Sequence, residues 1–160
     1  ALNITKERGL SFHCSMIGGE GDVTEDQVRI KIEESGLTGY IDVAGKKYGK
    51  EKQTAFEKAD IFVHPTFNDC LPLVLLEAMQ HSLPIVSTPE GAIPDVVENG
   101  VTGFLVSQRD AAALAEKLEV LIRDPDLRQK MGAAGRAKYE AQFTLERFEK
   151  RLTNILNELY

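Results

Sequence analysis

Residues Asp60–Val106 read DIFVHPTFNDCLPLVLLEAMQHSLPIVSTPEGAIPDVVENGVTGFLV, and the order of runs inside this stretch decides the fold. A short apolar strand at Asp60–Val63 is followed by a loop, then by a proline-started helix over Leu71–Gln80, then by a second strand at Pro84–Ser87. Pro72 falls at or near the first turn of that helix, where a missing N–H costs nothing. Leu73, Val74, Leu75, Leu76, Ala78 and Met79 make the helix apolar nearly all round, which predicts burial. A short helix at Ile93–Glu98, a turn at Asn99–Gly100 and a strand at Phe104–Val106 complete the stretch. Two acids punctuate it. Asp69 stands eight positions before Glu77, and a carboxylate inside LVLLEAM is costly unless it has a partner.

Upstream, SFHCSMI at Ser11–Ile17 runs directly into GGEGD. A strand, a glycine-rich turn and a helix in that order is how nucleotide-binding α/β units begin. Gly18, Gly19 and Gly21 do not form a full GxGxxG, and a tight loop needing positive φ is the competing explanation. Thr24–Ser35 reads as a helix with Thr24 as N-cap and Gly36 as the residue past its end. Tyr40–Val43 is a second strand ending at Ala44–Gly45. The polar run KKYGKEKQ is expected to be a loop, followed by a short helix at Thr54–Ala59. The opening ALNITKERGL reads as the last turns of a helix ending at Gly9, and with no initiator Met it suggests a piece of a longer protein.

Downstream of Val106 the pattern is helical. Asp110 caps a helix with Leu114, Leu118, Leu121 and Ile122 on one face. Asp124–Pro125–Asp126 breaks it and starts another, with Leu127, Met131 and Ala134 inward. Thr144 opens a last helix, Thr144–Tyr160, carrying Phe148, Leu152, Ile155, Leu156 and Leu159.

Composition narrows the class. The 160 residues suit one domain, and 42% hydrophobic with 28% charged residues is ordinary for a folded globular chain. A net charge of −6 and the lack of a basic run disfavour nucleic acid as a partner. Cys14 and Cys70 suggest no disulfide framework. His13, His64 and His81 are too dispersed for a zinc site, so no metal is expected. No apolar run approaches the roughly 20 residues that cross a bilayer. A reduced, cytoplasmic protein is the expectation.

Strands alternating with helices through short loops predict an α/β fold: a doubly wound, open parallel sheet with helices on both faces. In such sheets ligands sit beyond the C-terminal ends of the strands. That rule gathers GGEGD, Ala44–Gly45, His64–Asp69 and Thr88–Ala92 at one edge. The amino end of the Pro72 helix offers unpaired N–H groups and partial positive charge, which suits phosphate. Asp69 before it and Glu77 behind it would each meet a hydroxyl-bearing group flanking that phosphate. A nucleotide-sugar has this layout. The competing explanation has Glu77 bonded to a backbone amide or facing solvent, and Asp69 serving as a helix cap.

The segments Asp69-Cys-Leu-Pro-Leu-Val-Leu-Leu-Glu77-Ala-Met, Leu83-Pro-Ile-Val-Ser-Thr88, Gly91-Ala-Ile-Pro-Asp-Val-Val and Asn99-Gly-Val-Thr-Gly-Phe-Leu-Val106 closely resemble the C-terminal half of family 4 (group 1) glycosyltransferases of the GT-B fold. Ile17–Gly21, Val43–Gly45, Ala59–Thr66 and the C-terminal helices share the similarity. The resemblance implies a three-layered, Rossmann-like donor-binding domain over residues 1–160, with a first strand, a basic pair and an acceptor-binding N-terminal domain expected upstream. It implies a retaining, metal-independent hexosyltransferase of cell-envelope polysaccharide synthesis that needs no cofactor. Its donor would be a UDP-, GDP- or ADP-hexose. In the family's Glu-x7-Glu motif the second acid is Glu77, on the ribose, and the first falls on Asp69, one methylene short, on the sugar. Both are the candidate catalytic residues. Cys70, Leu71, Pro72, Leu73 and Val74 would hold sugar and diphosphate, and Gly18, Gly19, Val43 and Gly45 would line the base and ribose pocket. Ser82 and Ala92 replace family glycines and, being small, are expected to be tolerated. The rivals are a non-catalytic nucleotide- or sugar-binding module and a related GT-B synthase or phosphorylase. A membrane-associated acceptor, with the intact enzyme peripheral at the inner membrane, and self-association through the last helix are further expectations.

Overall fold

The computed structural model describes residues 1–159, the last of them by backbone only. In chain order the elements are α1 (Leu2–Glu7), β1 (Cys14–Ile17), α2 (Glu25–Glu34), β2 (Ile41–Gly45), α3 (Gly49–Lys58), β3 (Phe62–His64), α4 (Leu73–Gln80), β4 (Ile85–Ser87), α5 (Ile93–Val96), β5 (Gly103–Leu105), α6 (Ala111–Arg123), α7 (Pro125–Gln142) and α8 (Leu145–Leu159). They form two compact units, one of residues 1–58 and 111–123, the other of residues 59–110 with the chain from Asp124 onward. The expected α/β alternation and parallel strands are present. Hydrogen bonding groups the strands as β1–β2 and as β3–β4–β5.

In the first unit, β1 and β2 are parallel, with Cys14 opposite Ile41 and Ile17 opposite Gly45 after an irregularity at Met16/Ile17. The connection is α2, whose start is written locally. Thr24 Oγ1 accepts the Gln27 amide and the Gln27 side chain accepts the Thr24 amide, a reciprocal capping box. Gly36 takes φ +63 just beyond its end, as the sequence predicts. Ser15 faces Asp42 across the pair and donates to it at 2.8 Å, while His13 Nε2 lies 2.5 Å from the same carboxylate. Desolvation pushes Asp42 upward, but the Ser15 and His13 hydrogen bonds and the imidazole's charge outweigh it and hold the carboxyl below its usual range. Helix α1 packs on α6, where Thr5, Leu118 and Leu121 are buried and Arg8 meets Glu119 at 2.6 Å. The run expected as a loop before Thr54 is instead mostly helical, because Lys50–Gln53 are competent helix formers once Gly49 has turned the chain at φ +49.

The second unit is built on β4. Its residues Ile85, Val86 and Ser87 are all inaccessible to solvent, between β3 (Phe62 opposite Ile85, His64 opposite Ser87) and β5 (Ile85 opposite Gly103). The continuous apolar character of the run is what a strand covered on both faces requires. Gly103 has no room for a side chain, since a Cβ there would stand 2.0 Å from the Ile85 carbonyl oxygen. Leu75, Ala78 and Met79 of α4 are buried, as are Ile93, Val96 and Val97 at α5 and Met131 of α7. Helices α4 and α7 pack on each other, with Arg136 donating to the Gln80 carbonyl.

Two expectations for this unit are corrected. Helix α4 begins at Leu73 rather than Leu71, with Pro72 extended at ψ 107 as its N-cap, because the residue before a proline is driven out of the helical region. Nor is α4 buried all round: Leu73 is 67% exposed. At the far end of the chain, α8 carries Leu145, Phe148, Leu152, Ile155 and Leu156 exposed. The side chain of Leu159 and the whole of Tyr160, which the sequence places in this helix, lie outside the described residues.

Candidate functional site

The predicted site residues fall into two groups, one in each unit. In the second unit they follow the C-terminal end of β3. Asp69, Cys70, Leu71 and Pro72 form the loop, Leu73 and Val74 open α4, and Glu77 lies about 6 Å further along the axis at 1.5 Å per residue. No side chain caps α4, so its leading amides retain their hydrogen-bonding capacity toward a ligand. Asp69 does not serve as the helix cap. Its carboxylate turns instead toward His64, whose Nε2 stands 3.6 Å from Oδ2. Pro72 offers no N–H, so the donors of this loop are Cys70, Leu71, Leu73 and Val74. Glu77 is half-buried on the second turn.

The loop is held from the neighbouring connections. Thr88, just past β4, donates from Oγ1 to the Thr66 carbonyl at 2.7 Å, and Ser87 donates to the His64 carbonyl at 2.7 Å. The Ala92 amide donates to the Cys70 carbonyl at 2.8 Å. Gly91, at φ +51, lies against the same segment: a Cβ there would come within 2.3 Å of the Asp69 carbonyl oxygen and 2.5 Å of that of Cys70. The loops after β3 and β4 therefore meet, as the sequence rule requires, and Gly91 is the residue whose missing side chain lets them. Gln108 adds a hydrogen bond to the Phe67 carbonyl at 3.1 Å, and the Arg109 guanidinium lies over the Phe67 ring at 5.5 Å. Gln108 and Arg109 escaped the sequence reading because nothing in their local pattern marks them.

In the first unit, Gly18, Gly19, Val43 and Gly45 gather where β1 and β2 end. The Gly18 amide donates to the Gly45 carbonyl at 3.1 Å, and Gly45 sits at φ +62. Lys46 lies across Gly19 so closely that a Cβ on Gly19 would be 1.8 Å from Lys46 Cε. Gly19, Glu20, Glu25 and Lys46 line an open cavity of about 640 Å³. Lys46 brings a cation that the sequence reading passed over as part of a polar loop.

Among the described residues no group of three or more His, Cys, Asp or Glu side chains is placed to hold a metal ion. No helix among them is long and apolar enough to cross a membrane.

Comparison with known proteins gives this geometry a family. Among curated relatives, an amylovoran biosynthesis glycosyltransferase of Erwinia amylovora is 32% identical over 99% of this chain and 40% of that protein. A sulfoquinovosyl transferase of Arabidopsis thaliana is 34% identical over 89% of the chain and 27% of that protein. The chain thus spans 40% or less of the length of these relatives. Among solved structures, Anabaena HepE in complex with UDP superposes with a TM-score of 0.86 at 18% identity, over 98% of this chain and 43% of that one. A sucrose-phosphate synthase from Thermosynechococcus elongatus gives a TM-score of 0.85 at 22% identity, over 99% and 41%. At such identities the superpositions speak for the fold, a parallel α/β domain of GT-B enzymes. The sequence match carries the rest: residues 1–138 fit the family described as glycosyl transferases group 1, and the chain belongs to that family.

Proposed function

We propose that the chain is the donor-binding part of a retaining, metal-independent glycosyltransferase that moves a hexose from a nucleotide-diphosphate sugar to a hydroxyl acceptor in polysaccharide synthesis. The observation that carries this reading is the uncapped amino end of α4 with a carboxylate on each side of it. The amides of Leu73 and Val74 face a diphosphate, aided by the helix dipole. Glu77 accepts from ribose hydroxyls and Asp69 from the sugar. Transfer then depends on holding the donor in place and on stabilising the charge that develops on the departing diphosphate. On this proposal the acceptor is held by other parts of the enzyme, since the chain spans 40% of the length of a matched relative, and the isolated chain binds the donor without appreciable transfer. The reading draws support from relatives named for amylovoran and for capsular polysaccharide biosynthesis and from neighbours solved with UDP and UDP-glucose. On this proposal the intact enzyme works in the cytoplasm, on an acceptor associated with the membrane.

Calorimetric titration of the chain with UDP-, GDP- and ADP-glucose tests the reading. One of them is expected to bind, and Glu77→Ala to weaken that binding by about ten- to a hundredfold, the scale of a charged group's hydrogen bonds. Absence of binding for every donor, or an unchanged affinity in the variant, would count against it. The rival binding module is favoured by one feature, the short acid at Asp69. Restoring the upstream segments and observing donor binding without transfer would select that alternative.

A further inference from the structure

His64 ends β3 with its backbone fixed. Its carbonyl accepts from Ser87 Oγ at 2.7 Å and from the Thr66 amide at 3.0 Å, and its ring stacks at 12° to Phe62, two residues back along the strand. Its Nε2 is closed to solvent and has no hydrogen-bond partner. A buried ring nitrogen left unmatched is unfavourable, and sites that contain one call for an explanation. The facing charged group is the Asp69 carboxylate, with Oδ2 at 3.6 Å and the residue's side chain 33% exposed. Closing that gap by about 0.7–0.9 Å makes a charge-assisted hydrogen bond of ordinary length.

We infer that His64 is a positioning residue for Asp69: its Nε2–H, held rigidly by the strand, takes one carboxylate oxygen and leaves the other turned toward the donor's sugar. This rests on the reading of Asp69 as the sugar contact. Asp69 belongs to a loop and not to a helix, so its carboxylate lacks the fixed frame that α4 gives Glu77. A buried donor on the neighbouring strand supplies one. Because Nε2 is shut off from solvent, His64 acts on the donor only through Asp69. Without a second group the carboxylate turns to water, and each reorientation on binding costs affinity for the sugar and little for the nucleotide.

The test titrates the full chain with UDP-, GDP- and ADP-glucose and with the matching free diphosphates. His64→Leu keeps the bulk and removes the donor; it is expected to lower nucleotide-sugar affinity about tenfold more than affinity for the free diphosphate. His64→Gln, whose amide nitrogen reaches the same place, should restore the ratio to within about twofold. In an Asp69→Ala background, which leaves His64 no acceptor, His64→Leu should add nothing further, since the effect runs through the carboxylate. Equal losses for both ligands, equal behaviour of the Leu and Gln variants, or an undiminished effect in the Asp69→Ala background would overturn the proposal while leaving donor binding intact. Wild-type chain that binds none of the six ligands would overturn the reading of the site and this proposal with it. A further measurement needs no ligand. Nitrogen-15 spectra of the histidine side chains should show His64 protonated on Nε2, with a proton protected from exchange that Asp69→Ala exposes. The opposite tautomer would refute the inference even if the variants fold poorly.

Discussion

Helix α7 carries two buried glycines one turn apart, Gly132 and Gly135, and the structure predicts opposite outcomes for the same substitution. A methyl group on Gly135 would lie 3.6 Å from Met79 Cγ and 3.9 Å from Thr102 Cβ, which is ordinary contact. Gly135→Ala therefore keeps the helix-propensity gain of about 1 kcal/mol. On Gly132 the methyl would stand 1.9 Å from the Ser82 carbonyl oxygen and 2.7 Å from the Ser82 carbonyl carbon. The obstacle is backbone at the end of α4, so relief requires moving one helix against another, and overpacking of that kind costs roughly 1–3 kcal/mol or more. Because the obstacle is backbone the upper end applies, and about 3 kcal/mol less the propensity gain of about 1 kcal/mol leaves Gly132→Ala destabilised by about 2 kcal/mol. With urea slopes of roughly 2 kcal/mol per molar, its unfolding midpoint should fall by about 1 M. Gly135→Ala should hold or rise. Urea titration followed by circular dichroism reads both, and a Gly132→Ala midpoint equal to that of Gly135→Ala would refute the close approach of α4 and α7.

Ser82 occupies φ +55, where a side chain is strained. Ser82→Gly trades roughly 1–2 kcal/mol of left-handed strain for about 0.5–1 kcal/mol of chain entropy. It should raise stability by about 0.5–1 kcal/mol, and a lower urea midpoint would contradict this. The depressed carboxyl of Asp42 contributes stability that is present above its unfolded pKa of about 3.9 and fades as pH falls through its lower folded value. Asp42→Asn should therefore lower the urea midpoint at pH 7, modestly because the pair is exposed. A difference from wild type that widens toward pH 3 instead of closing would disprove it. The exposed apolar stripe of α8 should drive self-association at high concentration. Sedimentation velocity should show this, with Ile155→Glu abolishing it; a wild type that stays monomeric throughout would refute the idea.

Where a structural decision depends on a few adjacent residues, it was legible in the sequence. Thr24 caps α2, Gly36 and Gly9 turn the chain where expected, and α7 starts at the Asp124–Pro125–Asp126 break. The alternation of apolar runs was enough for a parallel α/β fold. Gly49 concealed the early start of α3. Reading Ser82 as a tolerated small replacement missed that its size is not at issue; its positive φ is. At the site, Glu77 and the amino end of α4 were visible as a costly acid and a proline-started helix. Asp69 was visible only as an ambiguity between cap and ligand group, and the cap is absent.

The sequence by itself determined the helices and parallel strands, because propensity, capping and apolar periodicity act within a turn or two of chain. It likewise marked the two acids and the helix end between them. Only the tertiary structure decided what Asp69 faces and which glycines are indispensable. His64 meets Asp69, Gly91 admits the Asp69–Cys70 backbone, Gly103 lies on Ile85 and Gly132 on Ser82. Each is a close approach between segments brought together by packing, where the partner sets the permitted volume and charge, and no local pattern around either residue records it.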